Sequence, residues 1–447
     1  MTEKQYIIER APLPDKDYLF KITGTNREIL NEVQETIDKI QYDYLPWEEF
    51  KNKSWATEKK VEIWHLLKSV RNFSNEKSII KDQFGNSFGF NQKNYAEFLH
   101  YVDMEMGGSF MGIESFSEGD KKRFIRRNLI EESIASSQIE GANTSRAVAK
   151  EMLNQGRSPR NKHEQMIVNN HQTMRWIEED LKNKELTFEL FLELHRKITE
   201  KTIDSNHQGI LRNTLDKNGK RLVIKPWQDD TISYVTPDRD FVDRQLPKLI
   251  DFANDKDKSG FIHPVIKAIM LHFWVGLLHP FEDGNGRLAR IIFYWYLLRK
   301  GYWAFSYISI SEKILKSANQ YAMSYIYSEQ DNNDLNYFIH YNINKLKQAR
   351  ESFKKYISEK IVENNKINLV IKKGLNLNSR QINLLHYLVK DENNFITLKS
   401  YELENSLAKQ TAIKDIKVLL NQNLVRKIKN GRNTFYYSTE KTIEVFK

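Results

Sequence analysis

Leu278-His279-Pro280-Phe281-Glu282-Asp283-Gly284-Asn285-Gly286-Arg287-Leu288-Ala289-Arg290 is a polar connection between two apolar runs. Ala268 to Leu278 before it and Ile291 to Leu298 after it read as buried helices. The connection carries an imidazole, the Asp283 carboxylate, two glycines and two guanidiniums, none of which a core requires. Asp-Gly and Asn-Gly steps admit left-handed backbone and turn successive amide N–H groups toward one point. The second helix is expected to start at about Asn285, so its orphan N–H groups and positive dipole end face the same spot. Arg287 and Arg290 add charge to this anion cradle, Asp283 is placed to hold a divalent cation, and His279 to move a proton. Such a loop suits a nucleoside triphosphate with Mg²⁺ better than a neutral ligand. Taken alone, Asp-Gly-Asn-Gly is a turn signal and His-Pro a helix end. The weight lies in their combination.

Working outward, the chain of 447 residues has room for two to four domains. It has no cysteine, which excludes a disulfide framework and Cys-ligated zinc and fits a reducing compartment. The polar start, Met1-Thr2-Glu3-Lys4-Gln5, shows no apolar leader, and the two apolar runs are too short to span a membrane. The expected location is the cytoplasm, without membrane contact. A net charge of +10 leans toward polyanionic partners, but abundant Lys, Asn and Ile equally reflect biased genome composition.

Upstream, Arg27 to Ile40, Val61 to Phe73 and Asn94 to Met104 read as helices, with Asp82 to Phe90 as a turn cluster between helical stretches. Asp120 to Gly141 is a helix whose last turn holds Glu140, where the dipole disfavours a carboxylate by a few tenths to about 1 kcal/mol. On local grounds a solvated glutamate suffices. Helices follow at Ser145–Gln155, Asn161–Asn183 and Phe188–Thr202. Arg221-Leu222-Val223-Ile224-Lys225 and Thr231-Ile232-Ser233-Tyr234-Val235 flank a polar turn and predict a hairpin. Glu312–Ser328 and Asp334–Arg350 are helical, and Glu351–Lys373 is a charged linking helix. Beyond about Leu375, helices at 379–389, 398–405 and 409–421 precede a hairpin turning at Asn430-Gly431-Arg432. Three helices and a β-wing resemble a winged helix. Lys409, Gln410, Thr411, Lys414 and Lys417, with Arg432 at the wing tip, would then contact DNA. A protein-contact module with a solvated lysine face explains the same residues equally well.

Set out as His279-Pro280-Phe281-x-Asp283-Gly284-Asn285-Gly286-Arg287-x-x-Arg290, the central stretch resembles the signature of the Fic (Fic/Doc) family at every fixed position. The resemblance implies a mainly α fold: a Fic-type helical bundle with a β-hairpin flap, plus the small C-terminal α/β winged helix. The expected domains are an N-terminal helical region at 1–118, a catalytic core at 119–350, a linking helix at 351–374 and the winged helix at 375–447. The core includes an inhibitory helix at about 120–141 and a flap at about 220–236. The implied activity is that of a nucleotidyltransferase (EC 2.7.7 type), moving AMP from ATP to a Ser, Thr or Tyr hydroxyl of a protein, this chain included.

The resemblance gives each residue a part. His279 is the general base, near an ordinary imidazole pKa of about 6.5. Asp283 holds Mg²⁺ between the α- and β-phosphates, and the N–H groups of Gly284, Asn285 and Gly286 hold those phosphates with Arg287. Arg290 takes the γ-phosphate, and Tyr321 lies on the adenine side. The flap residues Leu222, Val223, Ile224 and Lys225 dock the target by strand addition. Ser136-Ser137-Gln138-Ile139-Glu140-Gly141 resembles the family's (S/T)xxxE(G/N) inhibitory motif. By that likeness Glu140 pairs with Arg290 and blocks the γ-phosphate, supported by Ser136 one turn earlier. A homodimer through the helical surface is also implied. Removal of AMP by the same site, γ-phosphate or phosphocholine transfer, and a DNA-binding regulator with a nucleotide-sensing Fic domain stand as alternatives.

Overall fold

Apolar periodicity sets helices along most of the chain. The computed structural model describes residues 5–13, 35, 43–53, 60–108, 116, 118–216, 218–226, 231–257, 260–371, 377–389, 391, 394–405, 407–430 and 433–446. Among these the chain is mainly helical, with short two-stranded antiparallel sheets. In chain order come α1 (Lys60–Ser74), β1 (Glu76–Lys81), β2 (Ser87–Phe90), α2 (Ala96–Val102), α3 (Glu118–Ile139), α4 (Arg146–Gln155), α5 (Lys162–Trp176) and α6 (Phe188–Thr199). There follow β3 (Val223–Ile224), β4 (Tyr234–Val235), α7 (Arg239–Ala253), α8 (Pro264–Leu278), α9 (Asn285–Arg299), α10 (Ala318–Gln330) and the long α11 (Asn336–Ile371). The C-terminal part holds α12 (Ser379–Val389), α13 (Leu398–Asn405), α14 (Lys409–Asn421), β5 (Val425–Asn430), β6 (Asn433–Ser438) and α15 (Glu440–Phe446). No described helix is long and apolar enough to cross a membrane.

Residues 1–100, 180–300 and 313–347 make one compact unit, and residues 101–179, 301–312 and 348–447 another. The units interleave along the chain, so residues 119–350 contribute to both. In the first unit α8 and α9 pack side by side, with α6 against α9 and α7 against α8. Pro264 opens α8 at a position where its missing N–H costs nothing, and His263 caps it by accepting from the Val265 N–H. Nearly every side chain of α8 is buried. Gly276 is required there, because a Cβ would lie 2.5 Å from the Tyr325 hydroxyl of α10.

The hairpin pairs Val223 with Val235 and Ile224 with Tyr234. Its β4 side carries a further strand residue: Gln5 bridges Ile232 in parallel, and the Tyr6 N–H donates to the Ile232 carbonyl at 2.8 Å. Gln330 holds this N-terminal segment through the Ile8 N–H and the Tyr6 carbonyl.

In the second unit α3 packs against α5, and α13 packs against α3 and α4. Glu132 is buried on α3 and accepts from the Ser309 and Ser311 hydroxyls and the Ser311 N–H. The C-terminal bundle closes over Leu385, Leu388, Tyr401, Ile416, Leu419 and Leu424. Buried Asp415 ties its helices together by accepting from Asn378, Arg380 and Tyr401.

Three expectations are corrected. Asp82 to Phe90 holds the expected turn, but it joins two strands, β1 and β2, and the buried Phe88 and Phe90 alternate with half-buried neighbours over too few residues to signal a strand. The helix over 334–350 does not stop before a separate linker: α11 runs unbroken to Ile371, since no Gly or Pro interrupts it. A last helix, α15, follows the hairpin. The expected helix at Arg27–Ile40 lies outside the described residues apart from Glu35, as do the flap turn at 227–230 and Arg432.

Candidate active site

The connection from 279 to 284 is held from within and from below. Within it, the Asn285 side chain donates to the Phe281 carbonyl at 2.7 Å and accepts from the Phe281 N–H at 3.0 Å. Below it, the His195 ring of α6 stacks on Phe281, with centroids 3.6 Å apart and planes within 4°. His195 Nδ1 accepts from the Gly209 N–H at 2.9 Å, which leaves Nε2 to donate to the Asp283 carbonyl at 2.8 Å. Burial pushes the pKa of His195 down to about 4, so the ring stays neutral and keeps this tautomer. Sequence reasoning assigned His195 no part, since one polar residue on an amphipathic helix gives no signal of its own.

Arg212 is the second residue it missed. Its guanidinium is buried, and Nε donates to the His279 carbonyl at 2.6 Å, with Nη2 on the Pro237 and Leu278 carbonyls. It thereby satisfies carbonyls that the end of α8 leaves open. His279 itself adopts a left-handed backbone, φ 43° and ψ 58°, as the C-cap of α8. Such a conformation is uncommon for a side chain of this size and persists because its surroundings fix it. The His279 ring is half-buried. Burial, then the Arg212 charge, lowers its pKa to about 4, against a hydrogen bond to the Gly276 carbonyl that raises it. The expectation of an ordinary imidazole pKa is therefore corrected downward.

Beyond His279, Gly284 takes φ 87° and forms the N-cap of α9. A Cβ there would lie 2.8 Å from Thr199 Cγ2 and 3.3 Å from His195 Nε2. Asp283 Oδ1 accepts from the Gly284 N–H, and the side chain is 44% exposed. Arg287 is fully buried beneath the loop; Nη1 donates to the Ile198 carbonyl at 2.8 Å, and Nη2 stands 3.5 Å from Asp283. Arg290 is buried on the same helix, and its charge reaches His272 and Tyr325. Tyr321 on α10 shares a 2.7 Å hydrogen bond with His272 Nε2 and packs edge-on to Tyr325. The flap is pinned to this end of α8 by the Tyr234 hydroxyl, which donates to the Leu277 carbonyl at 2.8 Å.

The structure thus brings His279, Asp283, Gly284, Asn285, Gly286, Arg287 and Arg290 onto one loop and helix start, with Tyr321 on a neighbouring helix of the same unit. Leu222, Val223, Ile224 and Lys225 lie on the flap of that unit. Ser136 is buried in the last turns of α3, and Glu140, half-buried, lies in the turn after it; both belong to the second unit. Lys409, Gln410, Lys414 and Lys417 lie on the exposed side of α14, opposite buried Ala412, Ile416 and Leu419.

The Fic/DOC family model matches residues 185–297, which contain α6, the flap and the whole loop. This segment is a Fic/DOC-family domain. The chain is 27% identical over 154 residues to the protein adenylyltransferase fic-1 of Caenorhabditis elegans, an alignment covering 34% of this chain and 27% of that protein. Over 69 residues it is 33% identical to the protein adenylyltransferase Fic of Nematostella vectensis, covering 15% and 16%. The chain thus spans about a quarter or less of the length of these curated relatives. Among solved structures it is similar to Fic-1 (residues 134–508) from C. elegans, at 19% identity, with 75% of this chain and 86% of that one covered and a TM-score of 0.49. A Fic family protein from Desulfovibrio desulfuricans G20 aligns at 14% identity over 78% and 95%, with a TM-score of 0.48. The Fic segment includes both residues that sequence reading overlooked, His195 and Arg212.

Proposed function

We propose that this protein transfers AMP from ATP to a hydroxyl of a protein side chain. The observation that carries the reading is the loop itself: a half-buried imidazole fixed at a helix C-cap, a solvent-reached carboxylate four residues on, and the N–H-rich start of α9, whose first two turns carry two buried guanidiniums. The protein hydroxyl attacks the α-phosphorus, the α–β P–O bond breaks, and pyrophosphate departs with the electron pair. His279 takes the hydroxyl proton. Its low pKa leaves it neutral, and therefore able to accept, at physiological pH. The N–H groups of Gly284, Asn285 and Gly286 orient the phosphates, with Arg287 adding charge from beneath and Arg290 meeting the γ-phosphate.

Mg²⁺ fits the donor set. Among the described residues no three His, Cys, Asp or Glu side chains gather as a metal cage. One exposed carboxylate, Asp283, suits an ion that keeps its waters and is otherwise held by nucleotide phosphates. Held by Asp283, Mg²⁺ would supply positive charge to stabilise the leaving group.

The deciding experiment supplies ATP labelled at the α- or the γ-phosphate. Label in protein from the α-position supports AMP transfer; label only from the γ-position replaces this reading with a kinase-like one. Glu140→Gly is expected to raise α-label incorporation, because the inhibitory motif would then lack its carboxylate. Equal incorporation by the parent chain would remove Glu140 from the regulatory account.

The pH profile gives an independent check. A base whose pKa is depressed loses activity only when pH falls through that depressed value. The acid limb of kcat/KM is therefore expected near the about 4 of His279, well below the ~6.5 of an ordinary imidazole. An acid limb at the ordinary value would show that the ring is solvated in the working enzyme.

The target segment, on this reading, adds to β3, which pairs only with β4 among the described residues. On the β4 side the chain's own Gln5 and Tyr6 already pair with Ile232.

A further inference from the structure

The second unit contains a cavity that the transfer chemistry does not use. It measures about 230 Å³ and lies where α3, α4, α11, α12 and α13 meet. Arg123, Arg126, Arg127, Lys150 and Lys360 line it, against the carboxylates of Asp120 and Glu404. A neighbouring cavity of about 180 Å³ shares Arg123, Lys360 and Glu404 and adds Arg380 and His386.

Five cations repel each other around this space against two lining carboxylates, and Lys150 reaches a further one, Glu131 at 3.7 Å. Burial disfavours the charged form of Arg126 and outweighs the nearby Glu404 carboxylate, which favours it, while Arg175 adds repulsion. Arg123 donates through Nη2 to Asn405, yet its buried Nε has no hydrogen-bond partner among the described residues. A buried donor left in this state calls for an acceptor. The cationic set therefore points to an anion.

The remaining lining says which kind. Phe116, Phe124 and Tyr356 form an aromatic wall, Phe116 edge-on to Phe124 at 5.0 Å and Phe124 edge-on to Tyr356 at 5.4 Å. The Arg127 guanidinium lies 4.3 Å from the Tyr356 ring centroid. Aromatic rings and guanidinium planes stack nucleobases, while the same arginines and lysines take phosphate oxygens. The space is more than a lone phosphate fills.

We propose that this cavity is a second nucleotide site, separate from the 279–290 loop, holding phosphate among Arg123, Arg126 and Lys360 and a base against Phe124 and Tyr356. Its ligand would bridge α3, the long helix α11 and, through Asn383 and Glu404, the C-terminal bundle. Because α3 ends directly before Glu140, occupancy would stiffen the element that carries the inhibitory motif.

The test is photo-crosslinking of the full-length chain with 8-azido-ATP, followed by peptide mapping. Label is expected on peptides containing Phe124 or Tyr356, apart from any on the peptide containing Tyr321. Lys360→Ala should lower the former about tenfold, the loss of one charge-assisted hydrogen bond, and leave the latter unchanged. Excess inorganic pyrophosphate should suppress labelling at Phe124 or Tyr356, and adenosine should not. Label confined to the Tyr321 peptide overturns the proposal. So does label at Phe124 or Tyr356 that adenosine removes and pyrophosphate does not. If Lys360→Ala melts early by circular dichroism, the competition arm on the native chain decides. Mapping by peptide separates failure of this site from failure of the transfer reading.

Discussion

His279→Ala is expected to lower AMP transfer by about 10²- to 10⁴-fold, the usual contribution of a positioned general base. A protein hydroxyl is a poor nucleophile, and the other imidazoles described at the loop are engaged, His207 through Nδ1 at 3.2 Å from Glu282 Oε1. The pKa of His195 is also about 4, but both its nitrogens are committed, to Gly209 and to the Asp283 carbonyl. It cannot substitute. Alanine raises one complication, since position 279 has φ 43° and a non-glycine residue there is strained by about 1 kcal/mol or more. His279→Asn separates the two effects. Asparagine tolerates the left-handed region, retains the Arg212 contact to the backbone carbonyl, and carries no base. Equal loss of transfer in both variants, with unchanged melting of the Asn form, assigns the loss to proton transfer. If His279→Asn keeps most of the parent's rate, the imidazole is not the base.

Much of this site was legible because its signal is local. Polar residues at fixed spacing between two apolar runs have few explanations, and helix bounds such as 379–389 or 409–421 follow from uninterrupted apolar periodicity. What stayed hidden depends on partners distant in sequence. His195 matters because its ring meets the loop 88 positions later. Arg212 matters because four carbonyls converge on its guanidinium, three of them distant in sequence, and nothing in Gly209-Ile210-Leu211-Arg212 announces those three. The pairing of Gln5 with Ile232 joins the chain start to the flap, and no periodicity in a few residues encodes that register. The pKa of His279 was misjudged for the same reason: Arg212 and the enclosing unit set it, not its neighbours along the chain. The β1–β2 hairpin was missed because four residues of alternation, Ser87 to Phe90, are too short to stand out.

Gly284→Ala should damage stability and transfer together, and for a reason that can be reversed. The backbone at 284 has φ 87°, which costs a β-carbon about 1–3 kcal/mol. The new methyl would also press on Thr199 Cγ2 at 2.8 Å and His195 Nε2 at 3.3 Å, and such overpacking costs about 1–3 kcal/mol more. A total of about 2–6 kcal/mol lowers Tm by roughly 4–24 °C in a unit of this size. Relief of the clash by movement would push the loop off His195, breaking the Asp283 carbonyl bond and turning the first N–H groups of α9 away from the phosphates. Transfer should then fall more than folding does when assayed well below Tm. Thr199→Ser deletes the clashing methyl and keeps the hydroxyl that donates to the His195 carbonyl. Combined with Gly284→Ala it should recover the overpacking share and leave the dihedral share, a coupling that a double-mutant cycle measures directly. Strict additivity of the two substitutions would show that the loop and α6 do not touch as described, and with that contact would go the basis for giving His195 its positioning role.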